Sequence, residues 1–363
     1  MYKCCLLGLF VFIVTSCNGH ANKIIDKSNQ DSTFQYVEPT LLDTTVVDYT
    51  NDIPVTKSFV ISRDSVIVRQ AMSTGSKAME KAGYGEAYEV IGEEGDWLAV
   101  WSRELYPYEG LHNGEQRVII AKRKVFIPRS AIGNVSDLKL SKEDALIVSF
   151  LQVGEKEPVY NERGLVLKDF VSLDLITEQE YMQRRKDAIE SVVRDTLAHV
   201  KKDGVLILPA GLKNSVFKDS PIDAEENRAE YEYIGYNPSL QQYIVNGSYY
   251  ESIDYKLVDM HTGEQTVSMV DFPHFSPDGR HIIALYTNPY EDCVDVELYR
   301  IVNKKLEFVA SWSFAHWMAG TEAKDIFFTK DNSLYLPVFY NKTFWTEEGQ
   351  MSKSKQFMRI TIK

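Results

Sequence analysis

Cysteine is scarce, and three of the four residues, Cys4, Cys5 and Cys17, fall near the start of the chain. Cys293 is the fourth. A single thiol cannot form an intramolecular bridge, so the body must rely on packed apolar surface. Glu291, Asp292 and Asp295 surround Cys293 and disfavour a thiolate, so it reads as a half-buried small hydrophobe. No His-x-x-x-His or Cys-x-x-Cys pair exists. His112, His199, His261, His274, His281 and His316 are scattered singly, and neither a metal nor a cofactor is expected. The one open alternative is a non-local cluster of His261, His274 and His281. A Gly-x-Ser-x-Gly elbow is absent, and Cys293 with His316 lacks the small-residue helix start that activates a nucleophile. The chain also lacks a basic stripe. With 52 acidic against 40 basic residues its net charge is −12, which argues against nucleic acid as a partner. The acidic stretch from Asp219 to Glu232, including Asp223, Glu225, Glu226 and Glu230, has no regular calcium-ligand spacing and reads as a solvated loop.

Long hydrophobic runs are missing too. The longest near the start, Leu6 to Val14, falls short of the about 20 apolar residues a spanning helix needs. It follows Lys3 and leads into Val14-Thr15-Ser16-Cys17. This layout resembles the lipobox of bacterial lipoproteins. The resemblance implies a signal peptide over residues 1–16, cleavage before Cys17, and lipidation of Cys17. The protein would then be exported and held on a membrane of the cell envelope, with the periplasmic or surface face left open. Residues 17–57 are polar and lack sustained period, as expected of a tether.

From 58 to 133, short alternating stretches are separated by turns. Val66-Ile67-Val68-Arg69 precedes the spacer Ser73-Thr74-Gly75-Ser76-Lys77. Gly83-Tyr84-Gly85, Tyr88-Glu89-Val90-Ile91 and Gly95-Asp96-Trp97-Leu98-Ala99-Val100 follow in order. A tight hairpin is expected at Glu93 to Asp96. The order of these elements resembles the bacterial SH3-like domain. Two departures are Gln70-Ala71 after the first arginine, where the family has Gly-Pro, and a polar excursion from Arg103 to Glu115. The resemblance implies a small β-barrel, with Trp97, Trp101, Tyr84 and Tyr106 as the ligand-binding candidates.

Residues 134–204 read as a connecting segment with an amphipathic helix. Thr177-Glu178-Gln179-Glu180 has the form of a capping box. Tyr181, Ala188, Ile189, Val192, Val193, Leu197 and Val200 recur at helical spacing before Gly204. From 205 to 363, apolar bursts alternate with turns such as His261-Thr262-Gly263, Pro277-Asp278-Gly279 and Asp331-Asn332, as in an antiparallel sheet system. Phe275-Ser276-Pro277-Asp278-Gly279, with the strand after it, resembles the hairpin of TolB-like and WD40-like propeller blades. At about 40 residues per blade this region suffices for about three or four, hence a partial propeller-like domain. Aromatic groups at Tyr231-Tyr233-Tyr236, Tyr249-Tyr250-Tyr255 and Trp312-Phe314-Trp317 serve as core or as ligand anchors.

The expected fold is therefore mainly β: an SH3-like barrel, a helix, and an antiparallel propeller-like domain. The expected role is binding or scaffolding at the envelope rather than catalysis. The membrane is one partner through the lipid, and cell-wall peptide or an envelope protein is the other. The alternative is an envelope glycan hydrolase whose carboxylates lie far apart in sequence. Oligomeric state has no signal.

Overall fold

The computed structural model describes residues 56–112, 115–164, 167–220, 227–346 and 349–363. Cys17, the signal segment, nearly all of the tether, and Asp223, Glu225 and Glu226 of the acidic stretch lie outside the described residues. Among the described residues, those within Trp101–Val125 form one compact unit, and those within Pro54–Val100 and Phe126–Lys363 form the second.

The smaller unit holds a hairpin of Tyr106–His112 with Glu115–Ala121, in register from Tyr106↔Ala121 to His112↔Glu115. The stretch that reads as a polar excursion is thus largely strand. Tyr106 and Tyr108 favour extended backbone, and Ala121 and Ile119 lie opposite them. Ser102 ties the base of this unit, accepting from Arg123 N at 2.7 Å and donating to Glu104 O at 2.8 Å.

The larger unit is mainly antiparallel β. Seven strands run in the order Ala78–Ala82, Val66–Arg69, Lys124–Pro128, Trp97–Trp101, Ala87–Glu94, Thr56–Val60 and Ile132–Gly133, without closing on themselves. The expected hairpin is present: Glu94 pairs with Trp97 across Gly95-Asp96, and Gly95 takes φ +62°, a region open to glycine at little cost. Val66 and Val68, and Tyr88 and Val90, are buried in alternation with half-buried neighbours, as period two requires, while Leu98, Ala99, Val100 and Trp101 are buried without alternation.

The remaining sheets, all of them open, draw on 134–204 as well as on the C-terminal region. A six-stranded sheet runs Val159–Tyr160, Val148–Val153, Lys305–Phe314, Cys293–Val302, His281–Asn288, His274–Phe275. A five-stranded sheet runs Val171–Ile176, Gln356–Ile362, Ser333–Tyr340, Trp317–Ala319, with Phe327–Phe328 also paired to Ser333–Tyr340. These two share one core, where Trp312, Phe314, Trp317 and Phe344 are fully buried. A four-stranded meander, Ala229–Asn237, Gln242–Tyr249, Ile253–Asp259, Gln265–Met269, and the hairpin Val205–Leu208 with Ser215–Lys218 complete the unit. The aromatic groups at 233, 243, 312, 314 and 317 are core residues.

The turn at Pro277-Asp278-Gly279 has a structural counterpart. Ser276 Oγ donates to Asp278 Oδ1 at 2.6 Å, and Gly279 has φ +68°. In the second turn Thr329 Oγ1 donates to Asp331 Oδ1 at 2.5 Å, and Asn332 has φ +58°. The two turns clasp each other: Asp278 N donates to Asn332 Oδ1 at 3.2 Å and Asn332 Nδ2 to Asp278 Oδ2 at 3.1 Å. Each turn adjoins a two-residue strand, His274–Phe275 or Phe327–Phe328, so the clasp brings those strands together.

The helix expected from Thr177 onward is short. It spans Glu178–Arg184, capped by Thr177 Oγ1 accepting from Glu180 N at 3.1 Å, and one 3-10 turn, Arg185–Asp187, ends it. Glu180 does not complete the box; its carboxylate lies 3.8 Å from Arg359. Beyond it the chain is extended. Ile189 N donates to Phe328 O at 2.9 Å, and Val193 and Tyr236 exchange backbone bonds at 2.9 and 3.1 Å. The β-branched Ile189 and Val193 lose side-chain freedom in a helix, and strand partners win them instead. Leu197 and Val200, read as the end of an apolar stripe, are 85 % and 70 % exposed.

Candidate binding cleft

Residues 188–193 form a strap across the clasped strands. Ser191 Oγ donates to Phe275 O at 3.4 Å, and Asn237 Nδ2 holds Ser191 O at 2.8 Å. The strap separates two cavities, one of about 350 Å³ and one of about 490 Å³, with Ile189, Glu190, Ser191 and Phe275 lining both.

The smaller cavity carries the more distinctive chemistry. Its walls include the buried rings Phe272, Phe275, Phe327 and Phe328, and Arg185, Arg194, Lys324 and His274 also line it. Arg185 follows the helix, and its guanidinium lies 5.0 Å from the Phe327 ring centroid. Its Nη1 is buried without a hydrogen-bond partner among the described residues, and its Nη2 lies 3.7 Å from Asp325. Arg194 leaves the strap at the other end, 4.4 Å from the Phe272 ring centroid, with Nε 3.8 Å from Glu190. Lys324 Nζ is 3.6 Å from Glu322. These carboxylates stand beyond ordinary hydrogen-bond reach.

His274 is 8 % exposed and meets Phe272 edge-on, with 5.2 Å between centroids. Burial, helped by Arg194, pushes its imidazole down to about 3, so it is neutral at physiological pH. A neutral imidazole has one N–H donor and one acceptor nitrogen. Nearby, burial lifts Asp271 to about 6 although Phe272 N donates to it at 2.6 Å, and burial also raises Glu297. Neither carboxylate lines the cavity; Glu190 is the only one that does among the described residues. The arrangement offers donors, ring faces and a neutral imidazole, which suits recognition better than paired-carboxylate chemistry.

The four sequence candidates are placed as follows. Tyr84 OH donates to Lys139 O at 3.0 Å, while its ring meets Tyr340 edge-on at 5.5 Å and carries the Arg63 guanidinium 3.6 Å above it. Trp97 is half-buried on the seven-stranded sheet. In the smaller unit Trp101 is buried, and Tyr106 is half-buried with the Arg123 guanidinium 5.1 Å from its centroid. Cys293 is buried, and burial with Asp295 at 3.6 Å pushes its thiol up to about 12. No group of three metal-ligating side chains occurs among the described residues, His261, His274 and His281 included.

Arg185, Arg194 and His274 were not legible as a site. Nothing in the local sequence singles out the arginines, and His274 is one of the scattered histidines. The usable signal was the repeat of Phe-Ser/Thr-x-Asp-Gly/Asn at 275–279 and 328–332, which brings their preceding residues together. No protein family, curated protein or solved structure matches the chain.

Proposed function

We propose that this chain is a lipid-anchored binding or scaffold protein of the cell envelope, with the cleft beneath the 188–193 strap as its principal ligand site. The carrying observation is a concave site with aromatic walls and three cationic side chains, lined by a single carboxylate among the described residues. A glycan hydrolase, the rival reading, would need two carboxylates about 5–10 Å apart at the site. In the finer fold reading the 58–133 region is SH3-like and the 205–363 region is propeller-like. The Gly95 hairpin supports the first, and the clasped turns at 276–279 and 329–332 support the second. Cell-wall peptide or an envelope protein is the proposed partner, and lipid on Cys17 the proposed anchor.

The test has two arms. Cys17→Ala moves the protein from the membrane fraction to the soluble fraction, and retention on the membrane refutes the anchor. Ala188→Trp, at an exposed position on the cleft wall, abolishes binding of purified cell-wall peptide fragments or of an isolated envelope partner. Unchanged binding refutes the cleft.

A further inference from the structure

We infer that the cleft takes an oxyanion, a carboxylate or phosphate group borne on an apolar or aromatic body, held by the Arg185 and Arg194 guanidinium forks. This rests on the reading of the cleft as a ligand site and names the class of ligand.

Three observations converge on it. First, Arg185 Nη1 is a charged donor taken out of water that makes no hydrogen bond of ordinary geometry among the described residues, with the Tyr181 hydroxyl close to the same guanidinium. Buried donors are nearly always paired, and an exception calls for an absent partner. Second, both guanidinium groups lie near rings, Arg185 at Phe327 and Arg194 at Phe272. Such placement pre-sets a planar fork whose N–H edges match two oxygens of one anion. Third, the nearby acids leave that capacity open. Asp325, Glu190 and Glu322 stand at 3.7, 3.8 and 3.6 Å from Arg185, Arg194 and Lys324, and Glu190 and Glu322 are well exposed. Three cations against Glu190, the single lining carboxylate among the described residues, leave the wall itself with an excess of positive charge. The apolar body follows from Phe272, Phe275 and Phe327, and buried His274 makes no hydrogen bond through its ring to another described residue, so it is free to bond a polar atom of the ligand.

The experiment is calorimetric titration of the full chain with phenyl phosphate, benzoate, inorganic phosphate and benzyl alcohol. Phenyl phosphate or benzoate binds and benzyl alcohol does not; whichever of the two binds more tightly assigns the oxyanion. Inorganic phosphate binds more weakly than phenyl phosphate. Arg185→Gln and Arg194→Gln each weaken binding about tenfold or more, as loss of a charge-assisted bond implies. Arg185→Lys, which keeps charge but loses the fork, falls between. Lys186→Gln, an exposed neighbour that does not line the cleft, leaves binding unchanged. Circular dichroism confirms that each variant is folded. If benzyl alcohol binds as well as the anions, or the arginine variants bind normally while Ala188→Trp does not, the oxyanion inference fails and the cleft survives. If Ala188→Trp also binds normally, the cleft reading fails. Silence of every probe at millimolar concentration overturns the inference.

Discussion

Gly235→Ala is expected to detach the strap. Gly235 has φ +149°, and a Cβ there would sit 2.2 Å from Val193 O and 3.1 Å from Val193 C. These are backbone atoms, so no side chain can rotate away. Relief requires Val193 to move, which breaks the reciprocal bonds it shares with Tyr236. Two net hydrogen bonds at about 1 kcal/mol each, with about 1–3 kcal/mol of backbone strain, make the cost about 3–5 kcal/mol. Amide hydrogen exchange reads this directly. Protection of Val193 and Tyr236 should drop by about two orders of magnitude or more, at about 1.4 kcal/mol per tenfold. Ligand binding at the cleft should fall with it, because Arg194 follows Val193. Gly92→Ala is the control: its Cβ would meet only Ala99 Cβ at 4.0 Å, so stability should hold or rise slightly. Unchanged protection at Val193 in Gly235→Ala would refute the close-approach argument.

Asp271→Asn should stabilise the protein at neutral pH. With Asp271 lifted to about 6 from 3.8, the folded state holds more protons than the unfolded between those values, so stability falls as pH rises through that window. Asparagine removes the buried charge and can still accept from Phe272 N. The gain in urea unfolding should be about 1–3 kcal/mol at pH 7 and vanish near pH 4; a pH-independent difference would disprove the assignment. Cys293 should resist iodoacetamide at pH 8 in the folded protein and react on unfolding, read by mass spectrometry of its own peptide. Rapid native labelling would contradict its burial and its raised pKa of about 12.

Local signals were read well where the physics is local. Gly95, Gly263 and Gly279 all take the positive φ that their turns demand, and Thr177 caps its helix. Val66 and Val68, which alternate with their neighbours in the sequence, are buried. The failures are non-local. The helical spacing of Ile189 and Val193 is real, yet Phe328 and Tyr236 offer them strand partners that lie far along the chain. Residues 148–153 and 171–176 pair with 305–314 and 356–362, which no window of periodicity exposes. The cleft shares this property: 185–194, 272–275 and 324–328 are three separate passages, joined by long-range bonds such as Ile189 to Phe328, Ser191 to Phe275 and Asp278 to Asn332.

The strand Gln356–Ile362 lies between Val171–Ile176 and Ser333–Tyr340, not at a margin, and Arg359 bonds Asp174 at 2.8 Å across 185 residues of chain. A polypeptide emerging from the ribosome through residue 340 thus carries a gap in the middle of this layer, with raw edges on either side. Completing this layer requires a segment far along the chain from Val171–Ile176, and closing so large a loop carries an entropic cost. Any break that removes 356–362 would leave two unpaired borders open to association with other chains.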